Sequence, residues 1–324
     1  MKRLVLILAT LLLALAPATA QDTAKDWPPK TVRIIVPFGA GSTPDIVARL
    51  LAENLGQKYP ASAFVVENKP GAGGNTGTDA VAKAEPDGAT IGVSIGAPLA
   101  INTILFSKLP YDPKKDIAAI TQLVTIPSVL AVSKDLGVNS VAELVALLKR
   151  EPGKYNFASI GNGSLSHLSM EAIVQKAGSK MVHVPYPSSP AAMTALLRND
   201  VQMTVLAAIS VTPHVASGNV KILAVSAPKR SVFLPDIATL KELGVDVEAD
   251  TWQGLIAPGG TPTAIIDKIN KDVADAIKSP AIREKLAAQL MEPVGNSPAQ
   301  FRAVIDAEVS RWAPVIKAAD VKIN

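Results

Sequence analysis

The chain has 324 residues, 48% of them hydrophobic, which is ample material for a core or two, and its length favours two domains. Lys and Arg number 32 against 28 Asp and Glu, a formal net charge of +4; the basic residues are spread along the chain and aromatics are only 4%, so no nucleic-acid footprint is present. The absence of cysteine excludes disulfides, thiolate zinc sites, cysteine catalysis and a lipoprotein anchor.

The first twenty residues read as an address. Met1-Lys2-Arg3 supplies a positive start, Leu4 to Ala16 is apolar, and Ala18-Thr19-Ala20 fits the small-x-small cleavage rule, so the mature chain is expected to start at Gln21. The apolar run falls short of the roughly 20 residues of a spanning helix, and no later run is long enough. Export to a periplasm without membrane insertion is the expectation. Cleavage removes Lys2 and Arg3 and lowers the net charge from +4 to +2.

Strand and helix then alternate, which predicts an α/β fold with largely parallel sheets flanked by helices. Thr31–Val36 is β-branched and leads into a Gly-rich loop. The spacing of Ile46, Val47, Leu50, Leu51 and Leu55 predicts one buried helix face over 44–55. Ala63–Glu67 is a short strand, Pro70–Gly77 a second glycine loop opening a helix, and Thr90–Ser94 a strand ending at Gly96-Ala97-Pro98. Ser140–Glu143 is a capping box for a helix to about Arg150, stopped by Pro152-Gly153. Further strands fall near 129–132, 155–159, 181–184, 201–206 and 222–225. Thr261-Pro262, Ser279-Pro280 and Ser297-Pro298 announce three closing helices with no strand signal between them. No long linker divides the chain, so a two-domain molecule requires a chain that crosses over and returns.

Three stretches share one grammar, a β-rich run, a Gly- or Ser-rich loop, then a helix start: 34–45, 157–164 and 183–190. Free backbone N–H groups and the positive dipole end then face whatever lies beyond the strand tip, an anion-binding design needing no metal or cofactor. Gly39 and Gly41 permit close backbone approach. Asp45 is ambiguous: it suits a first helical turn but repels an anion, so it either orients loop N–H groups or accepts from a ligand hydroxyl or amine. Ser164 reads as a cap with Leu165, Leu168 and Ala172 on the buried face, and His167 is more often structural than ligand-facing in such a turn. Neither glycine loop is a nucleotide motif. Gly92-Val93-Ser94-Ile95-Gly96 matches the nucleophile-elbow pattern, with His167, His183 and His214 downstream. Pro98 follows at once and no paired acid–histidine motif is evident, so Ser94 reads better as a hydroxyl at a strand tip lining a cleft, and a serine hydrolase is the distant alternative.

At these residues the chain resembles a known family. Ile35-Val36-Pro37-Phe38-x-Ala40-Gly41-x-x-x-Asp45, Glu67 to Asn75, Pro86-Asp87-Gly88, Leu109 to Asp116, Val184-Pro185-Tyr186 and Trp252-x-Gly254-Leu255-x-Ala257-Pro258 occur in order. Together they resemble the Bug-type substrate-binding proteins of tripartite tricarboxylate transporters. The resemblance implies a periplasmic clamshell of the type II-like periplasmic-binding-protein kind. Domain 1 would comprise about 26–125 plus 250–324, and domain 2 about 126–249, closing over one small organic anion as a monomer that serves a membrane permease. Mapped by motif, the contacts would be Pro37, Phe38, Ala40, Gly41, Ser42 and Asp45, with Ser94 and Ala97, in the first domain. The second would offer Ser159, Asn162, Gly163 and Ser164, with Tyr186, Ser188 and Ser189. Neutral donors would carry the binding, Arg33, Arg49 and Arg230 being the rivals. The family commonly has Ala-Gly-Gly at Ala40-Gly41-Ser42, Tyr at Ala89 and Lys-Gly at Pro187-Ser188, which leaves the specificity open among amino acids, di- and tricarboxylates, aromatic and nicotinate-like acids. A ligand sensor for a signalling partner would use the same closure.

Overall fold

The computed structural model describes residues 27–323, so the signal segment and its cleavage after Ala20 lie outside the described residues. No helix among them is long and apolar enough to cross a membrane.

The first sheet draws on both ends of the chain. It contains β1 (Thr31–Val36), β2 (Ala63–Asn68), β3 (Thr90–Ile95), β4 (Ile117–Ile126), β10 (Thr251–Pro258) and β11 (Glu292–Pro293), in the order β11-β4-β10-β3-β1-β2. The second uses the middle: β5 (Ser128–Ser133), β6 (Asn156–Ser159), β7 (Val182–Pro185), β8 (Met203–Ala207) and β9 (Val220–Val225), in the order β7-β6-β8-β5-β9. The expected α/β class with two sheets is thus present, but the sheets are mixed. β1 runs parallel to β2 and β3, and β6 parallel to β7 and β8. β10 inserts antiparallel between β3 and β4, and β5 antiparallel between β8 and β9. These two sit where the chain changes sheet, because a strand arriving from the other sheet is free of the βαβ crossover that enforces parallel pairing, and the two-residue β11 also lies antiparallel, on the edge beside β4.

The passages between sheets are short. Pro127 alone separates β4 from β5, and it lacks the N–H that would continue a ladder. On the return, the Ala249 N–H donates to Ser226 O at 2.6 Å before Thr251 pairs with Ile126 in the first sheet.

Helices cover the sheets. α1 (Thr43–Lys58), α2 (Asn75–Ala82), α3 (Asn102–Leu105), α8 (Thr263–Ile277) and α9 (Pro280–Ala287) accompany the first. α4 (Val141–Arg150), α5 (Leu165–Lys176), α6 (Ser189–Leu197) and α7 (Ala208–Val215) accompany the second. α1 buries Val47, Ala48, Leu51 and Leu55 against Ile34, Val36, Val93 and the α8 residues Ile266 and Ile269. Burying each of its leucines is worth roughly 2 kcal/mol. α10 (Pro298–Ala318) straddles the molecule: Phe301 and Ile305 pack on the first sheet beside Trp252, whereas Trp312 and Ile316 join the core formed with Leu168 and Ile173 of α5.

Of the three Ser/Thr-Pro starts, Ser297 forms the full capping box with Gln300, Ser279 makes no cap bond, and Thr261 donates to Pro258 O while its helix begins at Thr263. β11 was not expected between α9 and α10; two residues carry no periodicity to read.

Candidate ligand-binding cleft

The loop after β1 is braced from within. Gly41 takes φ +79°, the left-handed region that glycine occupies without strain, and its N–H donates to Asp45 Oδ2 at 2.9 Å. Asp45 also accepts from Arg49 Nε and Nη2 and from Asn68 Nδ2, each at 2.9 Å, and is 2% exposed. The Arg49 hydrogen bond, ahead of the Gly41 and Asn68 bonds and against the cost of burial, holds its carboxyl down to about 2. Ser42 takes an extended N-cap conformation, but its hydroxyl caps nothing and is buried without a partner. With Pro44 in the first turn, the free N–H groups left at the start of α1 are those of Thr43 and Asp45.

After β3 the chain passes through Gly96 into a wide helical turn, Ala97–Ile101, and then α3. Tyr111 pins this turn, its hydroxyl donating to Pro98 O at 2.8 Å; burial pushes the phenol up, so it stays a donor. Ser94 Oγ lies 3.2 Å from Thr78 Oγ1 and is 1% exposed. Its hydroxyl is therefore inside the first-sheet packing, while His167, His183 and His214 belong to elements of the second sheet.

The loop after β6 is held by a second network. Ser164 Oγ donates to Gly161 O at 2.6 Å and accepts from His167 N, Ser166 Oγ accepts from Ile160 N, and His167 Nδ1 accepts from Gly163 N at 3.1 Å. His183 stacks on His167 with ring centroids 3.8 Å apart and meets Ser159 Oγ at 2.6 Å. Burial, and then the neighbouring His167, hold His183 down to about 4, so it is neutral at ordinary pH. His167 is thus a loop brace. Gly163, at φ +70°, marks a close approach between the two sides: a Cβ there would lie 2.5 Å from Leu105 Cδ1 and 2.9 Å from Ile323 Cδ1.

Two adjoining cavities open between the sheets and share Phe38, Ile95, Ile160, Leu165 and Thr251 as their common wall. The smaller, about 280 Å³, is lined by Ser42, Thr43 and Pro44 at the start of α1, Ser189 at the start of α6, and Ala207, Ile209 and Ser210 around the start of α7, with Ser128 and Ser166. The larger, about 540 Å³, is lined by Ala72, Gly73, Gly96, Ala97, Asn102, Phe106, Asn162, Gly163, Ser164, Asp250, Trp252, Glu308 and Ile323 among others.

Seven of the residues expected from sequence lie on these walls: Phe38, Ser42, Ala97, Asn162, Gly163, Ser164 and Ser189. The others stand outside them. Pro37 is buried, with a Cβ on Gly77 landing 2.5 Å from its Cα; Ala40 and Gly41 form an exposed tip; Asp45 is committed to the loop. Ser94 bonds Thr78, Ser159 is 0% exposed against His183, Tyr186 packs against the core of the second sheet, and Ser188 caps α6 from the surface. Sequence reasoning missed the start of α7 because β8 runs straight into it without the glycines that mark the other loops. It also missed Glu308, which comes from the middle of a helix far along the chain, and Asp250, at the return passage. No Lys, Arg or His lines either cavity among the described residues. Arg33 pairs with Glu67, Arg49 with Asp45, and Arg230 with Glu242.

Residues 47–321 match the family described as "Tripartite tricarboxylate transporter family receptor". Protein BugT of Bordetella pertussis is 34% identical over 326 aligned positions, covering 100% of this chain and 99% of BugT. An R. palustris protein solved with adipate superposes with a TM-score of 0.79 at 33% identity, over 92% of this chain and 99% of the other. MatC from Rhodopseudomonas palustris, solved with bound malate, gives 0.74 at 29% identity, over 90% of this chain and 100% of MatC.

Proposed function

Because this chain belongs to the tripartite tricarboxylate transporter family of receptors, we propose that it is a periplasmic receptor that captures a small carboxylate in the cleft between its sheets and delivers it to the membrane components of such a transporter. The observation that carries this reading is the smaller cavity, where four helices begin, α1, α5, α6 and α7, hydroxyls line the wall and no charged side chain intervenes. Free N–H groups and aligned dipoles at helix starts stabilise an anion without an arginine clamp. Ser42 Oγ, buried there without a partner, is a donor in want of an acceptor. The relatives solved with adipate and malate support the same ligand class.

The reading includes two domains, about 26–125 plus 250–324 and about 126–249, hinged at Pro127 and at Ala249–Thr251, and an exported chain cleaved after Ala20. The distribution of strands between the sheets supports this division. α10 belongs to the first domain by its start and leans on the second by its last turns.

A thermal-shift screen of the mature chain against carboxylic acids tests it. At a hundred-fold excess over Kd a ligand adds about 2.7 kcal/mol, which shifts Tm by several degrees. Ser42→Ala is expected to weaken the best hit about ten-fold through loss of a hydrogen bond to a charged group, with Ser94→Ala leaving affinity unchanged. The proposal fails if no acid stabilises the protein, or if Ser94→Ala is the variant that loses binding.

A further inference from the structure

The two cavities differ in electrostatic character. The smaller carries helix starts and hydroxyls and no acid. The larger carries Phe38, Phe106, Trp252, Ile101 and Ile323 together with two carboxylates, Asp250 and Glu308, and no basic side chain. For a receptor of carboxylates, two acids on the wall are a liability unless the ligand brings an opposite charge.

The surroundings neutralise only one of them. Glu308 is 4% exposed and accepts from Trp312 Nε1 at 2.8 Å and Arg311 Nη1 at 2.6 Å. That guanidinium is shared with Glu248, at 3.3 Å. Asp250 takes part in no ion pair among the described residues, and Glu248 and Glu292 lie near enough to disfavour its charge. Burial pushes both carboxyls up, with Arg311 opposing. Three acids, Asp250, Glu248 and Glu308, thus gather near two cations, Arg311 and the Lys241 that pairs with Glu248 at 3.0 Å, and among the described residues Asp250 is the acid left without an ion pair, on the wall of an apolar cavity that also carries an indole and two phenyl rings.

We propose, resting on the receptor reading above, that the solute is a zwitterion with its charges at opposite ends of an apolar body. Its carboxylate would lie among the helix starts of the smaller cavity, and its ammonium or trimethylammonium end would lie in the larger one against Asp250, Glu308 and the aromatic wall. Such a ligand meets each wall with the complementary charge, and a cation over aromatic faces gains further when water is excluded. The shared wall of Phe38, Ile95, Ile160 and Leu165 matches the apolar body between the charges. An α-amino acid carries both charges on one carbon and cannot divide them between the cavities. An α,ω-dicarboxylate would set a second anion beside the two acids, with no basic side chain on that wall to receive it.

Titration calorimetry near neutral pH with matched straight-chain acids of four, six and eight carbons tests the proposal, each length as the unsubstituted, ω-amino and ω-carboxylate compound, with 4-trimethylammoniobutanoate added. In the wild-type protein the ω-amino or trimethylammonio acid of the best-fitting length should bind about ten-fold or more tightly than its unsubstituted counterpart, with the dicarboxylate weakest. Asp250→Asn should abolish the preference, and Glu308→Gln should reduce it. A dicarboxylate binding as well as the amino acid of its length overturns the zwitterion, including the case where its affinity falls as pH rises, which would mean that protonated acids hold it. Binding of other carboxylates with no gain from the amino group sinks this inference and leaves the receptor reading standing. Failure of every carboxylate sinks both.

Discussion

At the scale of single residues, Asp45 shows how one side chain's role is settled by its partners. A first-turn acid fits capping, ligand binding and loop orientation equally well, and only the Arg49 half of its environment lies at the readable i+4 spacing. Asn68 arrives from β2, which no local pattern places there. The resulting brace has a pH signature. The folded carboxyl titrates at about 2, below its ordinary value of 3.8, so its contribution is present above pH 3.8 and is lost as pH falls through about 2. Arg49 is half exposed, and screening reduces the effect to about 1–2 kcal/mol. Asp45→Asn should therefore lower unfolding stability by about that amount at neutral pH, and urea titrations should show the difference from wild type closing towards pH 2. A difference that persists there would assign the role to hydrogen bonding alone.

At the scale of elements, the strand–loop–helix grammar was legible because its parts are local: β-branched runs, glycines that tolerate positive φ, and capping hydroxyls. It placed the starts of α1, α5 and α6 at the cleft and overlooked α7, whose start has no glycine. The antiparallel insertion of β10 was illegible, since strand direction depends on where the chain returns. β10 nonetheless carries a sharp steric requirement. A Cβ on Gly254 would lie 1.9 Å from Cζ of Phe301, a ring that is 0% exposed on α10 and packed edge-on to Trp252. Gly254→Ala should cost about 2–3 kcal/mol of stability by overpacking, and adding Phe301→Leu should recover part of it, as read by chemical denaturation of both variants. Additive losses would show that the clash is relieved elsewhere.

At the scale of the whole molecule, function requires that the ligand favour one arrangement of the two sheets over another, because only differential affinity shifts such an equilibrium. Helix starts from both sides of the smaller cavity, α1 from the first sheet and α5, α6 and α7 from the second, would provide that difference. Small-angle scattering should show the radius of gyration falling when the best carboxylate saturates the protein. Gly163→Val, whose side chain would press on Leu105 and Ile323 across the cleft, should reduce or abolish the change. An unchanged radius for the wild type would remove closure from the account. Gly41, by contrast, has open space around its Cβ, so a substitution there acts through backbone strain at positive φ and does not wedge the sheets apart.

The sequence by itself determined the family, the α/β class and where the helices after the strand-tip loops begin, because these rest on motifs, periodicity and capping within a few residues of one another. Tertiary structure decided which of those residues reach the cleft. Asp45, Ser94 and Ser159 have the right chemistry at strand tips, yet each is bound by a partner that folding delivers: Arg49 with Asn68, Thr78, and His183. Asp250 and Glu308 are 58 positions apart in sequence and share a cavity wall only because the chain returns to the first sheet at Thr251 and α10 then crosses beneath it. The charge at that wall is a property of the assembled cleft, since it depends on long-range packing and on the exclusion of water, and neither is encoded in local pattern.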